Sequence, residues 1–205
     1  MQKETQQRVV SLVKKQGGYS TMKQFKDAGI RTSDVRLLVE SGVIDKIKPG
    51  LYRLAGIPET GGVSIDMIDA ARAVPSGVIC LSTALSYHGL TTYNPSSVDI
   101  AIPNNARPRR VIYPPLRTYF FRKRYYNLGI ETINTPYGAV KIYDREKTLC
   151  DMFRYRKKIG EDLAIEGLRE YLSGKKTNLN KLRRYAELCS VKTVITPYIK
   201  SLAGI

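Results

Sequence analysis

Apolar positions along the first quarter of the chain change period once, from helical to extended. Val9, Leu12 and Val13, with Gln16, recur at helical spacing within residues 3–16, which predicts an amphipathic helix closed by Gly17-Gly18. Met22 and Phe25 follow one turn apart. Thr21 before them and Gln24 three residues later form a capping box, so a second, short helix is expected to end near Ala28-Gly29. Val35, Leu38 and Val39 share one face of a third helix, capped by Thr32 or Ser33 and stopped at Ser41-Gly42. Ile44 and Ile47, then Leu51 and Leu54, flank Lys48-Pro49-Gly50, the pattern of two short strands around a tight reversal. Three helices and then a hairpin is the order of a winged helix-turn-helix.

Segment 55–63, AGIPETGGV, is rich in Gly and Pro and reads as a linker. It divides the chain into a winged head, residues 1–56, and a second domain, residues 57–205. In the second domain Ser64 is placed to cap a helix carrying Ile65 and Ile68 that ends before Pro75, and another helix runs from Ser82 or Thr83 to His88, closed by Gly89. Residues 98–102, 118–121, 130–133 and 139–142 are strand candidates, with residues 98–102 alternating as a half-buried strand. Connections too short for helical crossovers point to a small antiparallel sheet of about four strands. Four helices follow, marked by Leu149, Met152 and Phe153 behind an Asp144 cap, by Ala164, Leu168, Tyr171 and Leu172, by Leu179, Leu182, Ala186 and Cys189, and by Val191, Ile195, Tyr198, Ile199 and Leu202. Pro197 is expected to bend or interrupt the last. The fold class is α/β in the α+β sense: a winged helix-turn-helix, then a mixed domain with a small antiparallel sheet and a helical end.

Charge adds a partner to this outline. With 34 Lys+Arg against 18 Asp+Glu, a net +16, the chain is built to meet a polyanion, and nucleic acid outranks a membrane surface once the winged head is counted. Residues 1–56 carry 11 Lys+Arg against 5 Asp+Glu and the remainder 23 against 13, so both parts are basic. Arg31, Thr32, Ser33 and Arg36 fall on or beside the outward face of the third helix, the candidate recognition helix, where such side chains reach base edges or phosphates. Lys46, Lys48 and Arg53 are the candidate wing contacts. Beyond the head, Arg107, Arg109, Arg110, Arg117, Arg122, Lys123 and Arg124 make a run of seven cations without an acid among them, interleaved with Tyr113, Tyr119, Tyr125 and Tyr126. That run is a candidate basic surface for nucleic acid. Arg154, Arg156, Lys157 and Lys158 form a further cluster that equally suits a helix carboxy terminus.

Enzyme chemistry is poorly provided for. Asp144, Glu146 and Asp151 have capping and ion-pairing roles open to them, and no strand carries an acid followed by the Glu-x-Lys of a metal-dependent nuclease. His88 has no ligand-spaced neighbour, Cys80, Cys150 and Cys189 are too far apart in sequence for a CxxC zinc motif, and no GxxxxGK[ST] loop occurs. No catalytic residue, metal or cofactor is expected. The amino terminus is polar and no apolar run has transmembrane length, so the expectation is a cytoplasmic protein without a membrane partner.

The head ending in IKPGLYRL, together with LSTALSYHGLT from Leu81, SVDIAIP from Ser97 and YDREKTLCDMFRYR from Tyr143, resembles the AbiEi family of antitoxins. These belong to bacterial type IV toxin-antitoxin systems that act in abortive infection and phage resistance. The resemblance implies an autorepressor that binds inverted repeats of its own promoter through the head, and a second domain that counters a nucleotidyltransferase-like toxin. Two other classes stay open at this point. One is a protein-interaction module that binds a toxin directly, and the other is a nucleic-acid-processing enzyme.

Overall fold

The structure, a computed structural model, describes residues 3–108 and 110–203. The chain forms two compact units, and neither is a single stretch of sequence. The first comprises Met1–Pro75, Arg107–Leu116 and Asn134–Val140, and the second Ser76–Ala106, Arg117–Ile133 and Lys141–Ile205.

In the first unit α1 (Lys3–Lys15) buries Val9 and Val13 against Phe25 of α2 (Met22–Asp27), Val35 and Leu38 of α3 (Thr32–Glu40), and Ile44 and Tyr52 of the wing. The expected capping box is present. Thr21 Oγ1 accepts from Gln24 N at 3.3 Å while Gln24 Oε1 accepts from Thr21 N at 2.7 Å. The start of α3 differs from expectation. Arg31 is the extended cap residue and makes no side-chain capping bond, so Thr32 is the first helical residue rather than the cap. Gly29, at φ 72°, turns the chain so that Ile30 N reaches back to Phe25 O, which leaves Arg31 as the last extended position.

The wing hairpin is β2 (Ile44–Lys48) and β3 (Leu51–Leu54), and a third strand joins it, β1 (Tyr19–Thr21), in the order β1-β3-β2. This three-residue strand was hidden in the sequence because its last residue is also the cap of α2. Ser64 caps α4 (Ile65–Ala73) as expected, accepting from Met67 N at 3.3 Å, and α4 lies within the same compact unit as the wing.

The second unit holds β4 (Val78–Ile79), α5 (Leu81–Tyr87), β5 (Val98–Pro103), β6 (Leu116–Phe121), α6 (Lys123–Tyr126), β7 (Ile130–Thr135), β8 (Gly138–Tyr143) and four closing helices, with the ends of some strands assigned to the first unit. The sheet has five strands in the order β6-β5-β4-β8-β7, and it is mixed: β4 runs antiparallel to β5 and parallel to β8. β4 is two residues long and offers no alternation to detect. β5 is not half-buried, as its alternation predicted, but buried along residues 98–102.

Asp144 caps α7 (Arg145–Ile159) through Lys147 N at 2.8 Å, and α7 is the hub on which α5, α8 (Glu161–Ser173), α9 (Leu179–Leu188) and α10 (Lys192–Ala203) pack. α10 runs through Pro197 without interruption, with Ile195 and Ile199 buried on either side. Among the described residues no helix is long and apolar enough to cross a membrane.

Candidate nucleic-acid interface

The face of α3 that Val35 and Leu38 leave outward carries Thr32, Ser33, Arg36, Leu37 and Glu40, with Arg31 at its start. Arg36 Nε sits 2.8 Å from Glu40 Oε1, and both side chains are more than half exposed. Such a solvated pair is worth at most about 1 kcal/mol, so it leaves the guanidinium available to another acceptor. Arg31 is 3.9 Å from Asp34 and almost fully exposed. Leu37, 45% exposed, adds an apolar group of the kind that meets a thymine methyl. The sequence signal for it was its position one residue after Arg36, outside the buried stripe.

The three wing residues have different surroundings. Lys46 is exposed. Lys48 follows a bulge in the β2–β3 register, and its Nζ donates to Ala73 O at 2.6 Å. Arg53, on the central strand, has a side chain only 12% exposed, with Nη1 2.5 Å from Asp69 Oδ2 and Nη2 2.6 Å from Asp45 Oδ2. Asp69 also accepts from Tyr19 Oη at 2.6 Å, and Arg72, whose guanidinium lies over the Tyr19 ring, donates to Tyr137 O at 2.7 Å. Burial dominates at Asp69: it lifts the carboxyl to about 6 against the opposing pull of Tyr19 and Arg53.

The run of seven cations divides between the units. Arg107 and Arg110 are exposed and lie in the segment that belongs to the first unit, while Arg109 lies outside the described residues. That segment is pinned to the wing's edge strand: Ile112 N and Tyr113 N both donate to Ile47 O, at 2.8 and 3.2 Å, and Asp66 beside the Tyr113 phenol raises it above its ordinary value. The structure therefore brings Arg107 and Arg110 into the unit that holds Arg36 and Lys46.

Arg117, Arg122, Lys123 and Arg124 belong to the second unit. Arg117 is not unopposed, since its Nε stands 2.8 Å from the buried Asp99 of β5. Asp99 in turn accepts from the backbone and hydroxyl of Ser82, doing for α5 what its own cap residue, Cys80, does not. Arg122, Lys123 and Arg124 are exposed at the start of α6, a four-residue helix that falls between two strand candidates where no element was expected.

The acids weighed for catalysis are engaged. Lys181 Nζ lies 3.1 Å from Asp144 and 2.9 Å from Glu146, and Asp151 is paired with Lys147. His88 closes α5, its Nε2 2.7 Å from Tyr143 O, and the three cysteines are buried and unbridged. Among the described residues no group of three or more His, Cys, Asp or Glu is placed to hold a metal ion.

Against known proteins, residues 7–55, from within α1 to just past the wing, match the family model described as transcriptional regulator, AbiEi antitoxin. The fold as a whole is similar to the crystal structure of the RV2827C protein from Mycobacterium tuberculosis, with a TM-score of 0.53 at 14% identity, covering 98% of this chain and 81% of that one. No curated protein matches the chain.

Proposed function

From a head that carries the AbiEi antitoxin signature, we propose that the chain is a DNA-binding autorepressor and the antitoxin of a type IV toxin-antitoxin system. Residues 1–56 read inverted repeats in its own promoter, and residues 57–205 carry the antitoxin function against a nucleotidyltransferase-like toxin. The observation that carries this reading is the outward face of α3, where Arg31, Thr32, Ser33, Arg36 and Leu37 stand exposed over a buried Val35–Leu38 stripe. Phosphate contacts from Lys46, Lys48, Arg107 and Arg110 supply sequence-independent affinity and its salt dependence, and α3 supplies the choice of bases. Arg53 acts on the duplex through the wing it holds in place. Arg122, Lys123 and Arg124 are further candidate phosphate contacts, carried by the second unit.

A mobility-shift titration of the full chain on its own promoter and on random duplex tests the reading, with Arg36→Ala alongside. The variant is expected to lose roughly 1 to 3 kcal/mol on the promoter and much less on random DNA. Wild-type protein that binds both duplexes equally, or an Arg36→Ala variant that loses equally on both, overturns the assignment of α3 as the reading helix.

A further inference from the structure

Two arginines far apart in sequence converge on one tyrosine in the second unit. The guanidinium carbons of Arg124, on α6, and Arg154, on α7, lie 4.4 and 3.6 Å from the ring centroid of Tyr125. Arg124 Nη2 also donates to the Tyr125 hydroxyl. Among the described residues neither guanidinium has a carboxylate partner within ion-pair distance. Asp151, which feels the charge of Arg154, is held by Lys147, and Glu187 nearby in sequence is held by Lys192 at 2.6 Å. The Tyr125 ring face holds both cations but leaves their mutual repulsion unopposed by any anion, and an anion reaching both guanidiniums at the ring's edge would offset it.

The far side of the tyrosine hydroxyl adds a second kind of donor. Tyr125 Oη lies 3.5 Å from Ser190 Oγ, and Ser190, with Arg154 and Arg124, draws the phenol below its ordinary value. Ser190 is an exposed serine at φ 59°, a left-handed conformation that glycine would adopt more cheaply. It stands two residues before α10, whose Val194 and Ile195 amides already donate to Val191 O. Two guanidiniums and the hydroxyl of a serine in a strained conformation thus converge on the Tyr125 side chain.

We propose that Arg124, Arg154, Tyr125 and Ser190 form a binding site for a phosphate monoester, the terminal group of a nucleotide or of a nucleic-acid strand. A dianion with three acceptor oxygens matches two guanidiniums and flanking hydroxyl donors, whereas a carboxylate or a backbone phosphodiester has one charge and leaves a guanidinium unmatched. Arg124 is shared with the candidate phosphate contacts proposed above, whereas Arg154 and Ser190 have no part in them, so the Arg154 and Ser190 variants test the site independently of promoter binding.

Calorimetric titration of the full chain with inorganic phosphate, with ATP, and with a short single-stranded oligonucleotide bearing either a 5′-phosphate or a 5′-hydroxyl tests the site. Saturable phosphate binding is expected, weakened about tenfold or more in Arg154→Ala and in Arg124→Ala and partly kept in Arg154→Lys. Ser190→Gly is expected to melt at the same temperature or higher while binding more weakly, a combination that a merely structural serine does not give. Tighter binding of ATP than of inorganic phosphate identifies a nucleotide as the source, and preference for the 5′-phosphorylated strand over its hydroxyl twin identifies a strand end. Absence of saturation up to about 10 mM phosphate, or equal binding by wild type and all variants, overturns the proposal. Promoter binding by Arg154→Ala is measured in parallel and is expected to be unchanged, which separates failure of this site from failure of the DNA-reading helix.

Discussion

Arg53 Nη1 on the central strand of the wing stands 2.5 Å from Asp69 Oδ2 on α4. The carboxylate is fully buried and its other oxygen takes the Tyr19 hydroxyl from β1, so one acid ties a helix to two of the three wing strands. A wing contact on DNA would be expected to behave quite differently from a residue in this position.

Replacing Arg53 by Gln is accordingly expected to act on stability first. It leaves a buried carboxylate without its cation, a change that costs about 3 to 5 kcal/mol. Lys46→Ala, at an exposed wing position, is expected to leave the melting temperature alone and to shrink the slope of log affinity against log salt by about one unit. Denaturant melts and salt titrations on the two variants check both. A stable Arg53→Gln protein with a reduced salt slope would make Arg53 a phosphate contact instead.

Asp69 also predicts a pH dependence. Its carboxyl is raised to about 6 from an ordinary 3.8, so between those values the folded chain holds a proton that the unfolded chain has released. Stability from this site therefore increases as pH falls from about 6 toward 4, and is lost as pH rises through 6. The span is on the order of 3 kcal/mol. Urea melts of wild type and Asp69→Asn at several pH values should show a gap that shifts in favour of wild type at the acid end. A gap constant with pH would mean that Arg53 keeps the carboxylate charged throughout.

In the second unit Lys147 and Asp151 are both fully buried one turn apart on α7, with the ammonium over the rings of Tyr143 and Phe121. Lys147→Met should cost about 3 to 5 kcal/mol by stranding Asp151, whereas the double change Lys147→Met with Asp151→Leu should recover most of that loss. Equilibrium unfolding of both variants is the check. A double variant no more stable than the single would show that the pair does more than match charge.

Gly129 has φ 69°, and a Cβ there would come within 2.8 Å of Asp144 Oδ2 and of Lys147 Cβ. Its carbonyl accepts from Asp144 N at 2.7 Å, so the cap of α7 and this turn share one geometry. Gly129→Ala is expected to destabilise by about 2 kcal/mol or more, from backbone strain and displacement of the cap together. A thermal melt within about 1 °C of wild type would refute it.

What was legible in the sequence was whatever a few consecutive residues decide. The Thr21–Gln24 box, the Ser64 and Asp144 caps and the Pro49-Gly50 reversal each depend on neighbours within one turn, and the boundaries of α2, α4, α7 and the wing followed from them. Short elements defined by distant partners were not legible. β1 and β4 exist because β3, β5 and β8 lie beside them, not because three or two residues favour extension. The same distinction runs through the charged residues. Arg36 and Lys46 are exposed as their positions indicated, but nothing near Arg53 in sequence announces Asp69, and nothing near Arg117 announces Asp99. The meeting of Arg124 with Arg154 over Tyr125 joins residues thirty positions apart, a fact available only from the fold.

The compact unit that holds the winged head is assembled from residues 1–75, 107–116 and 134–140. During synthesis at about 5 to 20 residues per second, its last segment leaves the ribosome several seconds after the wing itself. The edge strand β2 waits through that interval without the amides of Ile112 and Tyr113 on Ile47. Completing this unit therefore requires closing a loop of more than sixty residues between Ile47 and Ile112, an entropic cost added to that of the local core of α1–α3 and the wing. A prematurely terminated chain would carry the reading helix and the core of residues 9–52 and still lack the segments that cover the wing's edge strand.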